Sequence, residues 1–372
     1  MRSTLIDPAK PRFLLLDFLR IIGAVAVLFY HYTARQHAQW GEAPSDAFPV
    51  LSLFSAYGFL GVHLFFLLSG FVIFFSTEGR TVGQFVAARV SRLYPAYWAA
   101  VILTSILIVY IAPQLGRELT LTQILTNLTM VQSAFGVAHV DGVYWTLPIE
   151  LLFYTMIALL IRANLTEAKV YWFAFGWPVI AAFAQQFDNQ LLEALLSPVY
   201  ASLFAAGMIL YLIHSRGHSL LRWMLFVFNA LLATQQMVRN EMPARQLRLT
   251  GHELSEPVGV ALMLLIFASV AVVVLTPLKH RGGAWMSYAG ALTFPLYLVH
   301  EYWGWWVIGI SHETLGKWGA LAAAIAVSFA LAVILERWVE RPLRPRIRAG
   351  LLQSFDAIRR PSDGAANAPK PQ

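Results

Sequence analysis

A chain of 372 residues that is 58% hydrophobic and only 13% charged does not have the make-up of a soluble domain, where about a quarter of residues are charged. It contains no cysteine, which excludes disulfides, thiolate nucleophiles and Cys-ligated metals. The 12 Trp, 25 Phe and 14 Tyr suit the two aromatic belts of a membrane protein, and the net charge of +7 reads as a topology signal, not as a nucleic-acid footprint.

Apolar runs of spanning length predict an all-α, polytopic membrane protein with about ten transmembrane helices. They cover residues 13–34, 58–76, 95–112, 144–161, 170–184, 198–213, 221–238, 257–275, 286–306 and 318–336. With the N-terminus inside, 20 of the 27 Lys and Arg fall on inner segments and six on outer loops. That bias puts both termini in the cytoplasm of a cell whose inner (plasma) membrane holds the chain. No small-residue cleavage site follows the first run, so it is expected to be a retained helix and not a signal peptide. Residues 1–346 are expected to form the membrane domain. Residues 347–372, which turn to Pro, Ala, Asn and Ser, are expected to be a disordered cytoplasmic tail.

The first helix carries Asp17, Arg20 and His31, and ionisable groups inside a membrane helix are functional candidates by default. At about 100° per residue, Arg20 and His31 lie within roughly 20° of one another around the axis and about 16 Å apart along it. Asp17, three residues before Arg20, shares that face as an ion-pair partner. The blander reading is a buried pair that locks packing and a histidine at headgroup level.

In the second helix, Gly58, Gly61 and Gly70 permit close helix approach, and the role of His63 stays open. Ahead of the third, Thr81 and Gln84 form a capping-box pattern, and Val82, Phe85, Val86, Val90 and Leu93 recur at helical spacing. This stretch is expected to be a short amphipathic helix lying on the inner surface. Arg89 and Arg92 share one of its faces. They suit bidentate phosphate binding, or else serve as ordinary inner-face charge in contact with anionic lipid.

Glu150 enters the outer end of the fourth helix behind Pro148, at the expected height of His31. A His–carboxylate pair would raise imidazole basicity and fix its tautomer; the other reading is an interfacial Glu in water. In the ninth helix Thr293, Tyr297, His300 and Glu301 lie on one side, an arrangement that also suits a proton relay. No metal-ligand cluster, phosphate loop or nucleophile elbow is legible.

Five stretches in this order carry a resemblance: Leu16-Asp17-Phe18-Leu19-Arg20 with His31; Gly61 to Phe71; Arg89-Val90-Ser91-Arg92-Leu93-Tyr94-Pro95; Trp145-Thr146-Leu147-Pro148-Ile149-Glu150; and Phe294-Pro295-Leu296-Tyr297-Leu298-Val299-His300, with Glu340-Arg341-Pro342 closing. Together they resemble acyltransferase family 3, the membrane enzymes that acylate bacterial surface polysaccharides, nodulation factors and some macrolides. The resemblance implies acyl-CoA, most often acetyl-CoA, as donor substrate, with no metal, and a hydroxyl of a saccharide or lipid-linked glycan as acceptor. It implies His31 as general base, with Glu150 as its orienter and Tyr297 or His300 donating to the oxyanion. It places Arg20, Arg89 and Arg92 at the donor. The family usually has an acidic residue where this chain has His63. Many relatives carry an appended hydrolase-like domain; none is read here, so transfer is expected to be completed within the membrane domain. A proton-coupled secondary transporter, with His31, Glu150 and His300 as proton path, is the competing reading. It gives no reason for paired inner-face arginines.

Overall fold

The computed structural model describes residues 13–187 and 189–359. It is all-helical, with no strand among the described residues. A backbone in lipid must satisfy its own hydrogen bonds, and each apolar run does so by coiling. The helices are α1 (Leu14–Thr33), α2 (Leu60–Phe75), α3 (Val82–Ile106), α4 (Thr146–Arg162), α5 (Glu167–Ala184), α6 (Ala201–Arg216), α7 (Leu220–Gln236) and α8 (Glu256–Leu275). A long helical stretch, Ala284–Ile334, is broken at Gly316 (φ 66°, ψ 170°), a left-handed conformation open to glycine at low cost. Its arms are α9 (284–315) and α10 (317–334), and α11 (Arg341–Arg359) follows.

All ten stretches expected to be helical are helical. Among the described residues seven stretches are long and apolar enough to cross a membrane, the last of them running from Ala284 to Ile358. α5 and α7 fall short of that measure. The chain is a membrane protein.

Two expectations are corrected. The surface helix ahead of Pro95 and the third spanning helix are one element, α3, with Pro95 inside it. Pro95, Ala96, Tyr97 and Ala100 are all buried, so packing holds the helix together across the missing amide. The capping box at Thr81 and Gln84 does start this helix, with both hydrogen bonds made. The second correction concerns the tail. Residues 347–359, expected to be disordered, continue α11, whose Phe355 packs on Gly83 at the start of α3. Residues 360–372 of the expected tail, and Arg2, Lys10 and Arg12 of the inner charge set, lie outside the described residues.

α1 is the axle of the fold and packs along both α2 and α9. A Cβ on Gly61 would collide with the Gly23 carbonyl oxygen, so these two small residues set how closely α1 and α2 approach. On the other flank a Cβ on Gly290 would stand 2.6 Å from Asp17 Cβ. The ionisable stripe of α1 is thereby pressed into the helix bundle, not turned to lipid.

Candidate active site

At one end of α1, Arg20 binds Asp17 at 3.0 Å. Arg20, Arg89 and Arg92 line a single cavity of about 100 Å³ together with Ser69, Glu150 and Tyr154. Arg89 donates to Ser76 Oγ at 3.2 Å and lies over the rings of Phe85 and Tyr154. Its buried Nε has no partner among the described residues. A second cavity of about 230 Å³ shares Arg20, Val72, Arg92 and Phe294 with the first and adds Glu340 and Arg344 from the far end of the chain. The three arginines singled out from sequence are therefore brought together.

At the other end of α1, His31 is buried and lines a third cavity, of about 100 Å³, with Tyr30, Arg35, Phe59, Trp145 and Arg245. Its Nδ1 lies 3.3 Å from Glu301 Oε1. Arg35 donates to the same carboxylate oxygen. Trp305 Nε1 donates to the His31 carbonyl at 2.9 Å and anchors the helix end. Arg35 Nη1 is also 3.3 Å from this Nδ1; in the tautomer whose Nδ1–H donates to Glu301, Nε2 is the ring nitrogen left for chemistry.

Glu150 is not the carboxylate beside His31. It accepts from Tyr154 Oη and, at 3.4 Å, from Ser69 Oγ, on the wall of the arginine cavity. The sequence reading began the fourth helix at residue 144, whereas α4 begins at Thr146. A turn at Gly142–Trp145 precedes α4 and is capped by Asp141, which sets Glu150 deeper than a residue at the helix mouth. The partner is Glu301, recognised in sequence as sharing a side with His300 but given no role.

Tyr297 donates to the Val143 carbonyl at 2.8 Å and sits 2.9 Å from Thr146 Oγ1. His300 Nδ1 lies 2.9 Å from the Tyr297 carbonyl oxygen. A contact to a carbonyl requires the proton on Nδ1, so Nε2 of a neutral His300 can accept but not donate. The His300 ring meets that of His31 edge-on, with centroids 4.9 Å apart. Both expected oxyanion donors thus have their protons committed to the backbone. Arg35 and Asp141 are the groups the sequence reading passed over. Arg35 stands one helical turn beyond His31, a spacing that could have flagged it. His63 is buried between the rings of Phe59 and Tyr200, and neither of its nitrogens has a partner among the described residues.

The cavities are adjoining. The arginine cavity and the histidine cavity share Val62 and Tyr297 as walls. Arg92 and Glu150 in the first cavity and His31 in the second thus stand on either side of these shared walls.

The family described as an acyltransferase domain matches residues 13–337. The chain belongs to that family. Every lining residue of the arginine and histidine cavities falls inside the match to this acyltransferase domain. The exopolysaccharide production protein ExoZ of Rhizobium meliloti (strain 1021) is 32% identical over 161 residues, which is 41% of this chain and 50% of the relative. The match thus spans about half the length of that curated relative. No solved structure matches the chain.

Proposed function

We propose that this protein is a membrane O-acyltransferase of ten crossings with both termini cytoplasmic. In this reading it moves an acyl group, acetyl in the simplest case, from acyl-CoA to a hydroxyl of an exported glycan. The run of adjoining cavities from Arg20, Arg89 and Arg92 to His31 is the observation that carries the reading. Guanidinium groups suit the phosphates of CoA. A thin pantetheine arm would pass from one cavity to the other beside their shared walls, Val62 and Tyr297. ExoZ, named for exopolysaccharide production, supports a glycan as acceptor.

The chemistry follows from His31. A hydroxyl is a poor nucleophile until a base takes its proton in the transition state. His31 Nε2 takes that proton while the hydroxyl oxygen bonds to the thioester carbonyl carbon. The C–S bond then breaks, and the departing thiolate takes the proton from the imidazolium. Glu301 holds the ring through Nδ1 and stabilises its cationic form, as a buried carboxylate does behind a catalytic histidine. Arg35 bonds Glu301 through Nη1, and its remaining N–H groups are offered to the oxyanion in the same cavity.

Purified protein in lipid nanodiscs tests this. His31→Ala is expected to bind acetyl-CoA as the wild type does and to lose roughly 100-fold or more in transfer, the scale of a general base. Wild-type turnover in that variant would overturn the assignment, and absence of acyl-CoA binding by the wild type would favour transport.

A further inference from the structure

Asp141 stands at the head of the Gly142–Trp145 turn, and its Oδ1 accepts from the Val143 amide at 3.1 Å. That is an ordinary cap. Its other oxygen is not ordinary. The Asp141 carboxyl lies against that of Glu301, and both are fully buried, at 0% and 1% exposure. Neither Asp141 Oδ2 nor Glu301 Oε2 receives a hydrogen bond from any N–H or O–H among the described residues. Gly142 permits the approach, since a Cβ there would stand 2.6 Å from Glu301 Oε2.

Two carboxylates sharing one buried site cannot both ionise. Arg35 supplies one positive charge to the pair through Glu301. Arg117, the next cation, is engaged by Tyr302 and the His139 carbonyl. Burial and the adjacent Glu301 push the Asp141 carboxyl well above the usual carboxylate range.

We propose that Asp141 is a positioning residue that stays a neutral acid and donates its proton to Glu301 Oε2, turning Glu301 Oε1 toward His31. The inference rests on reading His31 as the base. Two negative charges behind the ring would hold the imidazole protonated at rest and unfit to accept a proton. One charge, backed by a neutral donor, still stabilises the imidazolium once it forms. Asp141 thus sets the count of charges that His31 feels without touching substrate.

Two substitutions separate this from capping. Asparagine caps a helix turn as aspartate does and offers Glu301 a neutral N–H. Serine also caps but is too short to reach Glu301. With Asp141→Asn, kcat should stay within about threefold of wild type. With Asp141→Ser it should fall roughly tenfold to 100-fold, a part of what a general base contributes, while KM for acetyl-CoA stays unchanged. Wild-type kcat in Asp141→Ser makes the residue a cap only and overturns the proposal. An Asp141→Asn variant as poor as Asp141→Ser shows that an ionised carboxylate is needed and also overturns it. Infrared difference spectra of wild type against Asp141→Asn decide independently of how the serine variant folds. The carbonyl stretch of a protonated carboxylic acid should be present in the wild type and lost in the variant; its absence from the wild type overturns the proposal. His31→Ala assayed alongside keeps the two readings apart. Activity in that variant sinks the base assignment, whereas an inactive His31→Ala with a fully active Asp141→Ser sinks only the role of Asp141.

Discussion

The Nδ1 of His31 stands 3.3 Å from Oε1 of Glu301, while Glu150 bonds Tyr154 and Ser69 on the wall of the arginine cavity. The two carboxylates therefore stand in different surroundings. In the proposed mechanism Glu301 acts on the base, while Glu150 lines the cavity of the arginines.

The carboxylates should separate kinetically. Glu301→Gln removes the charge that stabilises the His31 imidazolium and strips Arg35 of its ion-pair partner. We expect kcat to fall by roughly 100-fold or more, with donor affinity little changed. Glu150→Gln should instead alter KM for acyl-CoA and spare kcat to within about tenfold. Steady-state kinetics of both variants checks this, and a reversed pattern would return Glu150 to the side of His31.

Arg89 and Arg92 should govern donor affinity. A lost charge-assisted hydrogen bond costs about 1.5–3 kcal/mol, or roughly tenfold or more in affinity. Calorimetry of acetyl-CoA binding to Arg89→Ala and Arg92→Ala is expected to show that loss. Analogues of CoA without the 3′-phosphate should discriminate less between variant and wild type. Because Arg89 also bonds Ser76, Arg89→Lys serves as the charge-keeping control. Unchanged affinity in both alanine variants would assign the pair to topology or lipid contact.

Tyr297 should prove structural. Its hydroxyl donates to the Val143 carbonyl and meets Thr146. Tyr297→Phe leaves these buried partners short of one hydrogen bond, at a cost of about 1–3 kcal/mol. A lower unfolding temperature with kcat within about tenfold of wild type is the expected result. A loss near that of His31→Ala, in a protein of unchanged stability, would make the hydroxyl a participant in the reaction.

The cavities also set a sidedness. Arg20 and His31 are about 16 Å apart along α1, roughly half of a hydrocarbon core of about 30 Å. In proteoliposomes of known orientation, acyl-CoA supplied only at the arginine end should acylate a glycan present only at the histidine end. Product that forms only when both substrates share the arginine end would defeat the through-membrane path.

Much of this protein was legible in the sequence because lipid makes local patterning decisive. An apolar run in a bilayer has few options besides a helix, so all ten helical stretches could be read from hydropathy. The alignment of Asp17, Arg20 and His31 on one face follows from helical periodicity alone. The gathering of Arg20, Arg89 and Arg92 in one cavity was suggested by motif order, and packing supplies it. What local pattern could not decide was which residues of different helices meet. A proline is a weak stop where packing supports the helix on both sides, so α3 runs through Pro95. The apolar contact of Phe355 with the start of α3 holds α11 helical in a stretch whose composition reads as tail. The choice of Glu301 over Glu150 depends on where α4 begins and how closely α1 and α9 approach, and those are properties of glycines pressed against a neighbouring helix. The Asp141–Glu301 contact lies furthest from sequence. It joins a loop to a helix far along the chain through the missing side chain of Gly142, and only the folded bundle brings those two carboxyls together.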